Sequence, residues 1–155
     1  MEEKARVLLV EFDTDLRDRL AGTVRSWGYT VETARDGREA LEKVTAFDPA
    51  VIISDMRMPR MGGIELLRAI RNQLRDPRFI ILADAWNPDR VFEATRLGAL
   101  AVLHKPADAE LIFADLRNCL DRPTLAAPCS DNTYAYCGDH IDPTCPRRGF
   151  SGTLN

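Results

Sequence analysis

Up to about Asp121, the apolar residues of this chain follow two alternating periods. Short aliphatic runs recur, and between them apolar residues stand three or four apart, the spacing of a helix face. Arg6-Val7-Leu8-Leu9-Val10 reads as a buried strand, followed by a helix carrying Leu16, Leu20, Val24 and Trp27 and stopped by Gly28. Tyr29 to Thr33 alternates as a second strand, and Asp36 with Glu39 predicts a capping box for a helix through Ala40, Leu41 and Val44. Strand three is Val51 to Ser54, leading to a helix with Ile64, Leu67, Ile70 and Leu74. Phe79-Ile80-Ile81-Leu82 is the fourth strand. Asn87 caps and Pro88 opens the next helix, which carries Val91, Thr95 and Leu97 and ends at Gly98. Leu100 to Leu103 is the fifth strand, before Lys105-Pro106. The last helix carries Leu111, Ile112, Leu116, Cys119 and Leu120, with its limit at Pro123.

Strands this apolar need cover on both faces, which right-handed βα crossovers provide. Residues 1-122 are therefore expected to form an α/β domain, a flavodoxin-like (βα)5 doubly wound parallel sheet. The fold class implies strand order 2-1-3-4-5, which sets the ends of strands one and three side by side. Past Pro123 no period persists, and residues 123-155 read as an irregular, cysteine-containing extension with no separate output domain.

Composition narrows the class. With 45% apolar and 29% charged residues, the 155-residue chain has the balance of a globular protein. No apolar run nears the ~20 residues that cross a bilayer. The start, Met1-Glu2-Glu3-Lys4, lacks a signal peptide's apolar stretch, so a cytoplasmic location without a membrane partner is expected. A net charge of -3, with Arg and Lys dispersed among acids, gives no electrostatic case for nucleic acid.

The chemistry concentrates at Val51-Ile52-Ile53-Ser54-Asp55-Met56-Arg57-Met58-Pro59-Arg60-Met61-Gly62-Gly63. A buried strand that stops at an acid places that acid at the carboxyl edge of a parallel sheet, where α/β proteins bind ligands. An Asp at a strand end is by itself most often a cap or a structural acid. Together with Met58-Pro59, Gly62-Gly63 and the distant Lys105-Pro106, Asp55 resembles the acceptor region of response-regulator receiver (CheY-like) domains, over residues 5-121.

That resemblance implies a role for each matching residue. Asp55 matches the phosphorylated aspartate, Lys105 the lysine that pairs with the phosphoryl group, and Glu11 the first acid of the pair after strand one. Phosphoryl transfer needs positioning and charge neutralisation more than proton chemistry, so a hard divalent metal and a lysine suffice. In the family Mg²⁺ is held by the acceptor Asp, an acid of the pair, waters, and a backbone carbonyl two residues past the acceptor, here that of Arg57.

Three positions depart from the pattern. The second acid of the pair, the family's direct metal ligand, is Phe12. Its ring is expected to pack as core or to fill the metal site, and either leaves a weak Mg²⁺ site at Glu11, Asp55 and Arg57. Asp13, one residue later, is expected to face away. Ala83 stands where the family has Thr or Ser, and Val102 where it has the switch aromatic. These three are degenerate switch positions. Asp84 adds a negative charge that would oppose a phosphoryl dianion.

The extension holds Cys129, Cys137, His140 and Cys145, a donor set sufficient for a Cys3His Zn²⁺ site, although its spacing matches no common zinc pattern. An unligated tail is the simpler reading. Cys119 falls on the last helix's apolar stripe and reads as core.

The leading reading is a stand-alone, atypical receiver in two-component phosphorelay signalling, not an enzyme. It would meet a sensor histidine kinase or phosphotransfer protein. Its downstream partner would bind the helix 4-strand 5-helix 5 face, which is usual in the family. Many family members also form homodimers through helices four and five, and nothing in this sequence singles that out. The alternatives are a phosphorylation-independent pseudo-receiver and a metal or redox sensor built on the Cys/His tail. A small α/β hydrolase is disfavoured by the lack of a Gly-rich phosphate loop or nucleophile elbow.

Overall fold

The computed structural model describes residues 4–74, 78–85 and 87–121. Five strands and five helices alternate: β1 Arg6–Val10, α1 Thr14–Ser26, β2 Thr30–Ala34, α2 Gly37–Phe47, β3 Val51–Asp55, α3 Gly63–Ile70, β4 Phe79–Ala83, α4 Pro88–Arg96, β5 Ala101–His104 and α5 Ala109–Asp121. All pairings are parallel and the order is β2-β1-β3-β4-β5. The flavodoxin-like architecture expected from the periodicity is the one observed.

Strand alternation divides the core into two layers. Leu8, Val10, Ile52 and Ile81 turn toward α2, α3 and α4, where they meet Val44, Ile64, Leu67, Ile70 and Ala94. Val7, Leu9, Ile53, Ile80 and Leu82 turn the other way, onto Ala21 and Val24 of α1 and Ile112, Leu116 and Cys119 of α5. Cys119 is thus a core residue, as its place on the stripe predicted.

The helix starts follow the expected chemistry. Asp36 accepts the Glu39 N–H at 3.0 Å, and Asn87 accepts from Asp89 and Arg90 with Pro88 behind it. Gly28 and Gly98 take φ of +97° and +102° just past α1 and α4, where a side chain would be strained. Two expectations need correction. Leu111 is 53% exposed, because Ile112 and Leu116 already fill the narrow contact of α5 with the sheet. On α4 only Ala94 is buried, since that helix meets the sheet beside its thin β5 edge. Among the described residues, no helix is long and apolar enough to cross a membrane. Cys129, Cys137, His140 and Cys145 lie outside the described residues.

Candidate functional site

The register that pairs Val10 with Ser54 brings the residues after β1 and at the end of β3 together. Asp55 closes β3 and is 7% exposed, and Glu11, one residue beyond β1, is 2% exposed. Glu11 is held on every side. Its N–H donates to the Ala34 carbonyl at 3.0 Å, and its own carbonyl accepts from Arg17 Nη1 at 3.0 Å. Its Oε1 accepts the Asp13 N–H at 3.2 Å.

Lys105, just past β5, closes the site from the other edge. Its N–H donates to the Ala83 carbonyl at 2.7 Å, and the Lys105-Pro106 peptide is cis. Its ammonium donates to Glu11 Oε2 at 2.7 Å and lies 3.3 Å from Asp55 Oδ2. One ammonium therefore bridges two buried carboxylates. The other Asp55 oxygen, Oδ1, is buried without a hydrogen-bond partner among the described residues.

The loop after Asp55 is anchored by its methionines and glycines. Met56 is buried and donates its N–H to the Leu82 carbonyl at 2.8 Å, while Met58 and Met61 pack on the α2–α3 side of the core. Gly63 donates to the Met56 carbonyl at 3.0 Å, and a Cβ there would lie 2.5 Å from the Asp55 carbonyl oxygen. Arg60, at φ +68°, pairs with the buried Asp36, and Gly37 donates to the Met61 carbonyl at 3.1 Å. Burial alone would raise the Asp36 pKa. The Glu39 N–H and the Arg60 guanidinium outweigh it and hold that carboxyl below its usual range. The loop and the start of α2 are thus tied as one unit.

Burial pushes the Asp55 pKa up to about 6, and the Glu11 carboxylate adds to it. The Lys105 charge and the Arg57 backbone N–H oppose the shift without cancelling it. Burial would lower the Lys105 pKa, but Glu11 and Asp55 hold the ammonium above its usual value. An acid raised in the folded state stabilises the fold at low pH, and this contribution is lost as pH rises from about 3.8 to about 6. Asp55→Asn is expected to remove that decline. In chelator-treated buffer above pH 6 it should exceed the wild type by about 1–2 kcal/mol after allowance for solvent screening. Urea unfolding across pH 4–8 checks this. Equal stability of the two proteins above pH 6 would contradict the raised pKa.

The donors at the mouth are hard oxygens, namely the Asp55 and Glu11 carboxylates and the Arg57 carbonyl, a set that suits Mg²⁺ rather than a softer metal. The unpartnered Oδ1 fits a cation ligand. Both Glu11 oxygens, however, are already engaged. Among the described residues, no three His, Cys, Asp or Glu side chains stand together at metal-binding separations. The residues fit the ion with one carboxylate fewer than the family arrangement supplies.

Phe12 corrects the sequence expectation. It neither packs as core nor fills the site, but is 55% exposed. Its neighbours decide this: Glu11 is locked inward, and the Asp13 side chain caps α1 by accepting the Leu16 N–H at 3.0 Å. Asp13 thus faces away, as expected. Ala83 is buried as the last residue of β4, and Val102 is half-buried on β5. Sequence reasoning missed the side chains of Arg17 and Arg57. Arg57 reaches to 3.7 Å from Asp84. The sequence carries no signal for either contact: Arg17 reaches back from α1 to the Glu11 carbonyl, and the Arg57 contact depends on how the loop after β3 meets the one after β4.

The family described as response regulator receiver domain matches residues 7–117. This chain belongs to that family. The receiver is 36% identical over 110 residues to the acid tolerance regulatory protein ActR of Rhizobium meliloti, covering 71% of this chain and 57% of that protein. It is 35% identical over 116 residues to the Regulator of RpoS of Escherichia coli, covering 72% and 34% respectively. Among solved structures, the chemotaxis protein CheY4 of Vibrio cholerae superposes with a TM-score of 0.71 at 35% identity, covering 76% of this chain and all of that one. The chain spans about half the length of the first curated relatives it matches. The fold and family make it a receiver domain of two-component response regulators.

Proposed function

We propose that this receiver takes a phosphoryl group on Asp55, with Lys105 neutralising the transferred charge and a Mg²⁺ site weakened by Phe12. The observation that carries this reading is the bridging ammonium: Lys105 holds Glu11 and Asp55 together, while Asp55 Oδ1 has no hydrogen-bond partner among the described residues. An oxygen of Asp55 forms the new P–O bond as the donor's P–N bond breaks. A proton on the other ring nitrogen lets the donor histidine leave as neutral imidazole. At neutral pH Asp55 is mostly ionised despite its raised pKa, so the nucleophile needs no separate base. Glu11, Asp55 and the Arg57 carbonyl would hold Mg²⁺, which supplies charge neutralisation on the transferred oxygens. The donor would be a sensor histidine kinase or phosphotransfer protein, and output would pass by protein contact through the α4–β5–α5 face.

Ala83 and Val102 favour a second reading, a pseudo-receiver that binds partners without phosphorylation. Incubation with acetyl phosphate and Mg²⁺, followed by intact mass, separates the two. The proposal expects an adduct of about 80 Da that is absent in Asp55→Asn. No adduct at any Mg²⁺ concentration would leave the pseudo-receiver standing.

A further inference from the structure

Ala83 offers no hydroxyl to a phosphoryl group, yet a charged link crosses the mouth directly above it. Asp55 pairs in register with Leu82, so Arg57 and Asp84, each two residues further on, face each other across the ends of β3 and β4. Arg57 Nε stands 3.7 Å from Asp84 Oδ1, with the two side chains 70% and 57% exposed. Such a loose, hydrated pair is weak and exchanges readily for a stronger partner. Asp84 opens the segment that leads from β4 into α4 at Pro88.

We propose that Arg57 is the residue that senses the phosphoryl group. It leaves Asp84 for the dianion formed two residues away and so releases the β4–α4 segment. Three features support the exchange. A phosphoryl group carries up to twice the charge of a carboxylate and offers three acceptor oxygens, for which a guanidinium is well matched. The Asp84 carboxylate, once deserted, sits beside a like charge and is repelled from the mouth. The Lys105 ammonium is shared with Glu11 at 2.7 Å, and a phosphoryl group with three acceptor oxygens has capacity for a guanidinium beside the lysine and the Mg²⁺. The link therefore couples occupancy of Asp55 to the segment before α4 without the missing hydroxyl and aromatic.

This inference rests on phosphorylation of Asp55, and its test separates the two claims. The chain has two tryptophans, and Trp86 lies two residues past Asp84. In a Trp27→Phe background, Trp86 emission is read against the phosphorylated fraction found by intact mass after acetyl phosphate treatment. Emission is expected to shift in proportion to that fraction. Per phosphorylated molecule, Arg57→Gln should lose the shift and Arg57→Lys should regain part of it. Without any phosphorylation, Asp84→Asn should already emit like the phosphorylated protein. Absence of adduct in the Trp27→Phe protein would sink the phosphorylation reading itself. If adduct forms, either of two results overturns the role of Arg57: a full shift in Arg57→Gln, or Asp84→Asn emission equal to that of the untreated parent.

Discussion

Lys105→Ala is expected to destabilise this receiver by about 3–5 kcal/mol at pH 8, because it strips the counter-charge from two buried carboxylates. Glu11 and Asp55 would then face each other with nothing between them, and Glu11 would retain only the Asp13 N–H. The loss should shrink near pH 5. There Asp55, whose pKa is already about 6 beside the lysine, takes up a proton and leaves one charge instead of two. Urea unfolding of both proteins at the two pH values measures the difference. A loss under about 1 kcal/mol, or one unchanged by pH, would mean the ammonium behaves as a hydrated surface charge.

Gly63→Ala should be the most damaging of the conservative changes near the site. The added Cβ would stand 2.5 Å from the Asp55 carbonyl oxygen and 3.2 Å from Ser54 Oγ. The closer obstacle is backbone and cannot rotate aside, so either α3 or the end of β3 must move. Overpacking of this kind costs about 1–3 kcal/mol. The functional effect is expected to be larger, because Asp55 sits on the displaced segment. A shift of about 1 Å in a reacting group lowers rates by up to 100-fold, and phosphoryl uptake from acetyl phosphate should fall on that scale. An uptake rate equal to the wild type would show that the close packing of α3 does not position the acceptor.

The residues that made the fold legible are those whose burial is decided locally. Ile52 and Ile53 point to opposite faces whatever lies beyond them, and two-sided burial therefore wrote itself into the sequence as unbroken aliphatic runs. Caps such as Asn87 with Pro88 act within one turn and were equally readable. Strand ends were less so. The strands read at Tyr29–Thr33 and Leu100–Leu103 lie one residue later, because the ladder's register with β1 and β4 sets their limits.

In the site, Lys105 and Glu11 were each marked by the family pattern, but their pairing across 94 positions was not read, because it has no local signal. The direction of Phe12 was not legible at all. It lies outside any repeating element, and its exposure follows from what fixes Glu11 and Asp13 on either side. Leu111 misled for the opposite reason: it keeps the helical period, but the contact is too narrow to use it.

The exposed Phe12 ring also makes the central claim testable, since a carboxylate placed there would not disturb the core. The measurement is the yield of the Asp55 adduct, by intact mass, as a function of Mg²⁺ concentration in the wild type and in Phe12→Asp. An acceptor site short of one carboxylate predicts that both proteins form the adduct. It also predicts that Phe12→Asp reaches half its maximum at a Mg²⁺ concentration lower by about tenfold or more. The same half-saturating concentration in both proteins, or no adduct in either, would contradict the account.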